Sequence, residues 1–537
     1  MSLPSLPDEC FNEILSFLDN KSLYKCLFVN KYFCNFSIPI NWRDPFNLPI
    51  LNNPSLINTL ISCFNEDEIS SLFPCEINVN NQPPLFKYGK FIRKIDHDYC
   101  VRNIVSWIKI SNKIISRYQN YQDCRVRKLV DAIYHMIMRE GSNLQELIII
   151  INWDNYIDLP NFSIFTSFKP GIINLKFLDI EIYLDLINEE IIYQDTIEFL
   201  SKVSKYCNGI INIELNFSRL NNALIKAFLD IIKLQPLKKI LMHTEYNVLK
   251  EEAKNIVYAL KFRSETLKEL IFRDFDFQII DLSFIPNLKS LERLEFISCK
   301  GFLLRYNENL FKKEFHLKEL KFLHNEFEFD DDDDDFNNRI LKFDVIETII
   351  NSFCGEELIK LSLNIITPKI VNKIKVSCPN IHFLYIKIIS KKFDILQVCE
   401  IRSLKVLKLY IDNEEYADIL VKQLGDYLIY VEYLLLEFHV GLSSFEYFTK
   451  NCIANLKKLI LRFRDLLLGN YLRKYYLKYI NDYQIIHKSL KVLGIIKDYG
   501  CELDWTNEEL EIIDSLKNQN VEILYICSLE DIDTFLM

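Results

Sequence analysis

The sequence predicts an α/β repeat fold, in which a small N-terminal unit of three short helices precedes a solenoid. The solenoid is expected to carry a curved parallel sheet on its concave side and helices on its convex side. Three observations predict this architecture. A short, heavily apolar segment opens the chain, and an apolar pattern returns from residue 144 onward, in most steps after about 23 to 31 residues. The third observation is a helical spacing of apolar residues between these returns.

Length and composition limit the class of protein. A chain of 537 residues is too long for one ordinary hydrophobic core, so several domains or an elongated repeat array are expected. Its 49% hydrophobic and 26% charged residues are typical of an ordered protein. The formal net charge of -10 argues against a general nucleic-acid binder, which needs a basic excess. The sequence contains no apolar run near the ~20 residues of a membrane span and no visible secretory signal. We therefore expect neither nucleic acid nor membrane as a partner.

The residue types that carry chemistry form no catalytic or metal motif. The 15 Cys are scattered without a CxxC pair, which is typical of reduced thiols in a cytoplasmic or nuclear protein and unlike a zinc site. The eight His include no HExxH pair, and the 11 Gly form no phosphate loop. We predict no catalytic residue, no cofactor and no metal. A Cys nucleophile in an unrecognised setting remains as the enzyme alternative.

The opening segment, residues 1–45, has the spacing of three short helices. Four apolar residues fall at i, i+3, i+4 and i+7 and form one stripe of the first helix: Phe11, Ile14, Leu15 and Leu18. A second helix is expected from about Lys21 to Val29, and a third around Tyr32, Phe33 and Phe36. Three helices of this size cannot hide all of the large apolar residues in the segment. Part of the apolar surface should therefore face the rest of the chain or another protein.

The same segment resembles an F-box over about 40 of the 537 residues. The residues that carry the resemblance are Leu6-Pro7-Asp8-Glu9, Ile14-Leu15, Phe17-Leu18, Asp19, Leu23, Val29-Asn30-Lys31, Phe33 and Asn41-Trp42-Arg43. Two positions depart mildly from the family pattern, Cys10 in place of an aliphatic residue and Asn30 in place of a small one. The alternative is an ordinary helical cap on the domain that follows.

The F-box resemblance implies a partner and a set of contact residues. F-boxes dock onto a Skp-family adaptor and through it join a cullin–RING ubiquitin ligase. By position, the residues implied in adaptor binding, or in the packing that shapes the binding surface, are Leu6, Pro7, Ile14, Leu15, Leu23 and Val29. The sequence does not separate the residues that contact the adaptor from those that pack internally.

The remainder of the chain, residues 143–537, is predicted to be a solenoid of about 14 repeats. Each copy reads apolar, two others, apolar, one other, apolar, as in LKELIF, LKVLKL and LKKLIL. The copies begin at Leu144, Leu175, Ile210, Leu237, Leu267, Leu291, Leu317, Leu358, Ile381, Leu404, Val431, Leu456, Leu490 and Val521. Alternation in the last three positions predicts a short strand, and stacked copies bury what one copy cannot. The array resembles leucine-rich repeats; the alternative is a mixed α/β globular domain.

Two stretches fall outside the regular repeat. Residues 46–142 show helical patterns and are predicted to be a connector that caps the first repeats. Residues 326–338 contain six consecutive aspartates, Asp330 to Asp335, which repel one another and predict a solvated loop. The run lacks the spaced ligands and the turn glycine of a calcium site.

The strand residues between the inward leucines predict a client-binding face. From the eighth repeat onward they are rich in the aromatic and cationic side chains that interfaces favour. The candidates are Phe383, Tyr385, Lys387, Lys408, Tyr410, Tyr433, Lys458 and Arg462, together with Lys360 and Tyr525. Earlier repeats place Asp179, Glu181 and Glu214 on the same face. The hypothesis is a client with an acidic or phosphorylated segment; the alternative is a merely solvated polar face.

These expectations describe the substrate-recognition subunit of an SCF-type cullin–RING ligase. The F-box would bind the Skp-family adaptor, the solenoid would hold a protein client, and ubiquitin-dependent degradation of that client would follow. The predicted location is cytoplasmic, nuclear or both, and the subunit itself is predicted to be non-catalytic. The alternative is a leucine-rich-repeat scaffold that binds partners but recruits no ligase.

Overall fold

The structure is a computed structural model in which the chain forms two compact units, Met1–Phe275 and Asp276–Met537. The residues that it describes are 7–46, 54–75, 77, 83–112, 123–152, 156–183, 193–217, 222–244, 250–302, 316–323, 346–347, 349–351, 353–364, 366–388, 395–411, 414–462, 472–496 and 505–526.

The first unit opens with three short helices: α1 Asp8–Ser16, α2 Asn20–Cys26 and α3 Lys31–Asn41. Polar caps set where the second and third helices begin. The Asp19 side chain accepts a hydrogen bond from the Ser22 N–H, and the Asn30 side chain accepts one from the Phe33 N–H. The three predicted helices are therefore confirmed, and Asp19, one of the residues that carry the F-box resemblance, caps α2.

A helical stretch follows, as predicted for the connector. Its helices are α4 Pro54–Ser62, α5 Glu66–Ser70, α6 His97–Asn112 and α7 Cys124–Arg139, with 3-10 helices at Phe73–Cys75 and Tyr88–Phe91. The buried Glu68 carboxylate links two of these helices, since it accepts hydrogen bonds from Arg139 at 2.8 and 2.9 Å and lies 2.7 Å from Nδ1 of His135.

The sheet of the first unit consists, among the described residues, of six parallel strands that pair in chain order. They are β1 Lys94–Asp96, β2 Glu146–Asn152, β3 Phe177–Tyr183, β4 Asn212–Phe217, β5 Lys239–Thr244 and β6 Glu269–Arg273. The helices of these repeats are α8 Phe162–Thr166, α9 Gln194–Tyr206, α10 Asn222–Leu234 and α11 Lys250–Ala259. The strand register aligns the second leucine of successive copies, so that Leu147 pairs with Leu178 and Leu178 with Ile213, all fully buried.

The second unit continues the same pattern with nine described parallel strands. They are β7 Arg293–Ile297, β8 Glu319–Leu323, β9 Lys360–Leu363, β10 Phe383–Ile388, β11 Val406–Ile411, β12 Tyr433–His439, β13 Lys458–Arg462, β14 Val492–Ile496 and β15 Glu522–Ile526. Its helices are α12 Pro368–Ser377, α13 Leu396–Cys399, α14 Glu414–Tyr427, α15 Leu442–Asn451, α16 Arg473–His487 and α17 Asn507–Asn518.

The predicted fold class is confirmed as an α/β repeat that follows a helical N-terminus. All fourteen predicted copies of the apolar pattern coincide with a strand, β2 to β15. The sequence analysis missed β1, which lies inside the predicted connector. Its segment begins the pattern with the buried Ile92 and Ile95 but places His97 where the third apolar residue would stand. The predicted acidic loop at 326–338 lies outside the described residues.

Candidate functional site

The N-terminal helices share a small aromatic core. Phe11, Leu15 and Leu23 are buried, and Phe33 and Phe36 pack against them. The ring of Phe11 meets the ring of Phe33 edge-on at 4.9 Å between centroids and that of Phe36 at 5.4 Å. Edge-to-face contacts of this kind add to the area buried. The Tyr32 hydroxyl also donates a hydrogen bond to Asp8 at 3.0 Å, which ties α3 to the start of α1.

The same helices leave large apolar side chains in solvent. Within residues 7–46, seven are exposed, here named the exposed apolar set: Ile14, Phe17, Leu18, Tyr24, Phe28, Val29 and Tyr32. Phe17 is 82% exposed and Phe28 73%. Scattered single exposures are ordinary on a protein surface, but so many within one short segment indicate a surface that another molecule covers.

The predicted adaptor-binding residues divide into two groups. Leu15 and Leu23, each 2% exposed, belong to the core of the segment. Pro7 is exposed just before α1, Ile14 is 50% exposed and Val29 58%, so these three are available to a partner. Leu6 lies outside the described residues. The predicted role of each in adaptor binding stays a prediction, but the structure separates the residues that shape the surface from those that form it.

Sequence reasoning did not include three of the most exposed residues, Phe17, Tyr24 and Phe28, among the adaptor contacts. Helical spacing contained the signal for Phe17, because at 100° per residue it falls well away from the buried Phe11 and Leu15. Tyr24 and Phe28 are one helical turn apart, and their rings meet edge-on at 5.2 Å.

On the second unit, the predicted client-binding residues form a regular cross-strand array, here named the Lys–Tyr face. The register places Tyr385 beside Lys408, Lys387 beside Tyr410, and Tyr433 beside Lys458. Each ammonium lies over the neighbouring ring, at 4.8, 5.1 and 5.0 Å from the respective centroids. Cation–π contacts at these distances hold both side chains in place.

Lys408 differs from the other cations of the Lys–Tyr face. It is 7% exposed and lies 3.2 Å from the carboxylate of Glu437, which is 4% exposed. A cation buried beside a carboxylate is part of the internal structure, so the accessibility that we expected for Lys408 is corrected. Phe383, Tyr385, Lys387, Tyr410, Tyr433, Lys458 and Arg462 are half-buried.

Tyr525 is also corrected, because its register differs from that of the other candidates. It pairs with Ile495, which is buried on the opposite side of the sheet from Lys458 and Arg462. The edge strand β15 therefore contributes Leu524 and Ile526, and not Tyr525, to the side that carries the Lys–Tyr face.

The Lys–Tyr face continues into an apolar cluster toward the end of the chain. The cluster consists of Val406, Leu435, Ile460, Ile496 and Ile526, all buried, with Phe383 and Tyr433 packed against it. Gly494 permits this packing, since a Cβ at that position would lie 2.8 Å from Cγ1 of Ile460. In the last strands, this side of the sheet is therefore itself apolar.

The equivalent face of the first unit is acidic. Asp179 and Glu214 are cross-strand neighbours, and Asp96 lies two strands from Asp179 in the same row. Burial raises the pKa of Asp179 to about 7, and the carboxylates of Glu214 and Glu181 act in the same direction. Burial likewise raises the pKa of Asp96 to about 6. Glu214 is partly neutralised by Lys239 at 3.1 Å.

In the part of the chain that the structure describes, no group of three His, Cys, Asp or Glu side chains is arranged to hold a metal ion. No helix in these residues combines the length and apolarity that crossing a membrane requires.

Comparisons with known proteins identify the N-terminal segment. Residues 3–43 match the family model of the F-box domain. The chain therefore carries an F-box domain, and strand–helix repeats follow it. Among solved structures, it resembles a crystal structure of a protein from Bacteroides fragilis, with 17% identity over 57% of this chain and 69% of that chain and a TM-score of 0.26. Curated proteins include no match to the chain.

Proposed function

We propose that this chain is the substrate-recognition subunit of an SCF-type cullin–RING ubiquitin ligase. Its F-box domain binds a Skp-family adaptor and through it the cullin, and its repeats hold a protein client. One observation carries the proposal. The F-box has its own buried core, yet the described residues of the same segment leave its exposed apolar set accessible to solvent. In this role, the chain acts in the cytoplasm, the nucleus or both.

The adaptor covers the exposed apolar set. Full burial of an exposed apolar side chain is worth up to about 1.5–3 kcal/mol, so Ile14, Phe17 and Val29 together contribute a large part of the gross binding free energy. Leu15 and Leu23 act indirectly, because they hold α1 and α2 in the arrangement that presents these side chains. Aromatic anchors such as Phe17 and Phe28 are typical of the central residues of an interface.

The client lies along the Lys–Tyr face and carries an acidic or phosphorylated segment. The half-buried Lys387, Lys458 and Arg462 offer positive charge, and the tyrosine rings beside them offer rigid apolar area. Lys408 is held within this face by its ion pair with Glu437 and thereby fixes the position of the Tyr385 ring beside it. The acidic face of the first unit would repel the same segment, which restricts the client to the second unit.

In the proposed mechanism, this chain brings the client close to the ubiquitin-carrying enzyme and forms no covalent bond itself. A client held on the repeats has its lysines at a high effective concentration beside the ubiquitin-carrying enzyme that the cullin recruits. The chain is then a non-catalytic subunit, and degradation of the client follows from its ubiquitination.

Complex formation with purified components tests the adaptor role. The full-length chain, mixed with a Skp-family adaptor and the N-terminal part of a cullin, should elute as one ternary complex in gel filtration. A chain that elutes alone in the presence of both proteins would favour the alternative, a repeat scaffold that recruits no ligase.

Charge reversal tests the client role. The triple variant Lys387→Glu, Lys458→Glu and Arg462→Glu should lose the proteins that the wild type retains under proteasome inhibition, while adaptor binding stays unchanged. The matched control reverses three exposed cations of the helices, Lys373, Lys450 and Lys517. Equal client capture by the triple variant and the wild type would remove the proposed site.

A further inference from the structure

Two cysteines of the connector lie side by side, although 49 positions separate them in the sequence. Cys75 ends the 3-10 helix Phe73–Cys75, and Cys124 is the first residue of α7. Their sulfur atoms are 3.9 Å apart. A disulfide bond is about 2.05 Å long, so a movement of about 2 Å, within reach of side-chain rotation and a small backbone shift, would join them.

The two thiols differ in their access to solvent. Cys124 is exposed, whereas Cys75 is half-buried. Burial raises the pKa of Cys75, the hydrogen bond to Cys124 acts in the same direction, and the charge of Lys128 opposes both. Since Cys124 is the more accessible of the two, it is the thiol that a soluble oxidant reaches first, and Cys75 is placed to resolve the product.

We propose that Cys75 and Cys124 form a modification site, a dithiol that a low-molecular-weight disulfide such as glutathione disulfide converts into an intramolecular disulfide. The Cys124 thiolate attacks one sulfur of glutathione disulfide and expels one glutathione thiolate. The Cys75 thiolate then attacks the Cys124 sulfur of the mixed disulfide and expels the second. Two protein thiols are oxidised, one glutathione disulfide is reduced, and the two protons pass to the two glutathione thiolates.

The other described cysteines indicate why this pair is distinct. Cys63, Cys100 and Cys207 are buried, and burial raises the pKa of each thiol, that of Cys63 to about 11 and that of Cys207 to about 12. Cys354 and Cys378 form a second close pair, but Cys378 is only 1% exposed and a soluble oxidant does not reach it. The hydrogen bond to Cys378, together with burial, raises the pKa of Cys354 far above its ordinary value. Of these two pairs, only Cys75 and Cys124 combine neighbouring sulfur atoms with an exposed thiol.

The proposed disulfide has a structural consequence. It would tie the 3-10 helix Phe73–Cys75 to the start of α7, the helix whose Arg139 already holds Glu68. Closing the chain between residues 75 and 124 restricts the unfolded state and raises the thermal midpoint.

Mass mapping of the full-length protein tests the proposal. The reduced protein is incubated with glutathione disulfide, its remaining thiols are blocked with N-ethylmaleimide, and peptides are mapped without reduction. We expect a Cys75–Cys124 linked peptide with no retained glutathione and an upward shift of the thermal midpoint. In the variant Cys75→Ser, Cys124 should retain glutathione almost stoichiometrically, because the resolving thiol is absent, and the thermal shift should vanish. The control Cys10→Ser, which removes an exposed thiol of the F-box, should leave the linked peptide unchanged.

Two results would overturn the proposal. One is separate glutathione adducts on Cys75 and Cys124 of the wild type, which would show that the sulfurs do not meet. The other is the absence of any modification at both positions while Cys10 reacts. Neither result bears on adaptor or client binding, which depends on other residues.

Discussion

The F-box and the repeats bury their apolar residues to very different degrees. In the repeats, the inward leucines of the strands are fully buried, as Leu147, Leu178 and Leu407 illustrate. In the F-box, Phe11, Leu15 and Leu23 are buried, but Phe17 and Phe28 of the same segment are mostly exposed. The repeats obtain their cover from neighbouring copies of the same chain. The F-box lacks such neighbours among the residues described for its segment, and under the proposed function an adaptor covers its exposed apolar set.

The largest expected effect on stability is in the repeats, which bury their own side chains. Arg473 and Glu509, both almost fully buried, join α16 to α17 through two hydrogen bonds of 3.0 and 3.1 Å. The variant Arg473→Met leaves the Glu509 charge buried without its guanidinium and should lower the free energy of unfolding by about 3–5 kcal/mol. Urea unfolding followed by tryptophan fluorescence measures this, since Trp505 lies 4.9 Å from the Arg473 guanidinium.

The neighbouring pair supplies the control for that measurement. Lys474 and Glu508 also join α16 to α17, at 3.0 Å, but both are solvent-accessible. The variant Lys474→Met should lower the free energy of unfolding far less than Arg473→Met does, because water already screens this pair. Equal losses in the two variants would show that burial does not decide the strength of these pairs.

The next prediction distinguishes a residue that holds the F-box helices together from a residue on their exposed surface. The adjacent residues Leu15 and Ile14 have 2% and 50% exposure. Leu15→Ala should destabilise the three-helix segment by about 2–4 kcal/mol, because it opens a cavity against Phe11 and Leu23. Ile14→Ala should change its stability by less than about 0.5 kcal/mol. Amide hydrogen exchange of residues 8–41 reports both values, and similar loss of protection in the two variants would contradict the assignment of Ile14 to the surface.

The smallest effect concerns pH and the acidic face of the first unit. The folded pKa of Asp179, about 7, lies above the ordinary value of about 3.9 for an unfolded Asp. Between these values, the folded state binds more protons, so the contribution of Asp179 to stability falls as the pH rises from about 4 to about 7. Asp179→Asn should remove this fall and stabilise the protein above pH ~7 by on the order of 1–2 kcal/mol, with little difference near pH ~4. Unfolding curves at the two pH values test this, and a variant no more stable than the wild type at the higher pH would contradict it.

The sequence predicted the scaffold better than the surfaces. Every predicted copy of the pattern became a strand, because alternation of apolar and other residues favours a strand. In the last copy, however, the pattern residues Leu524 and Ile526 lie on the side of the Lys–Tyr face. The burial of Lys408 could not be predicted, since it depends on Glu437, which lies within a register irregularity between Leu436 and His439. The F-box residues were recognisable from their pattern. The division between Leu15 and Ile14, however, required the packing of three helices in space.

The affinity of the full-length chain for a Skp-family adaptor tests the central claim most directly. Calorimetric titration of the wild type should give a stable complex, and the double variant Ile14→Glu, Val29→Glu should weaken it at least ~100-fold, about 2.7 kcal/mol, because two charges would be buried at the interface. The control Ile110→Glu changes an equally exposed isoleucine of α6, 56% against 50%, and should bind like the wild type. Unchanged affinity in the double variant, or no binding by the wild type, would contradict the claim that the F-box is completed by an adaptor.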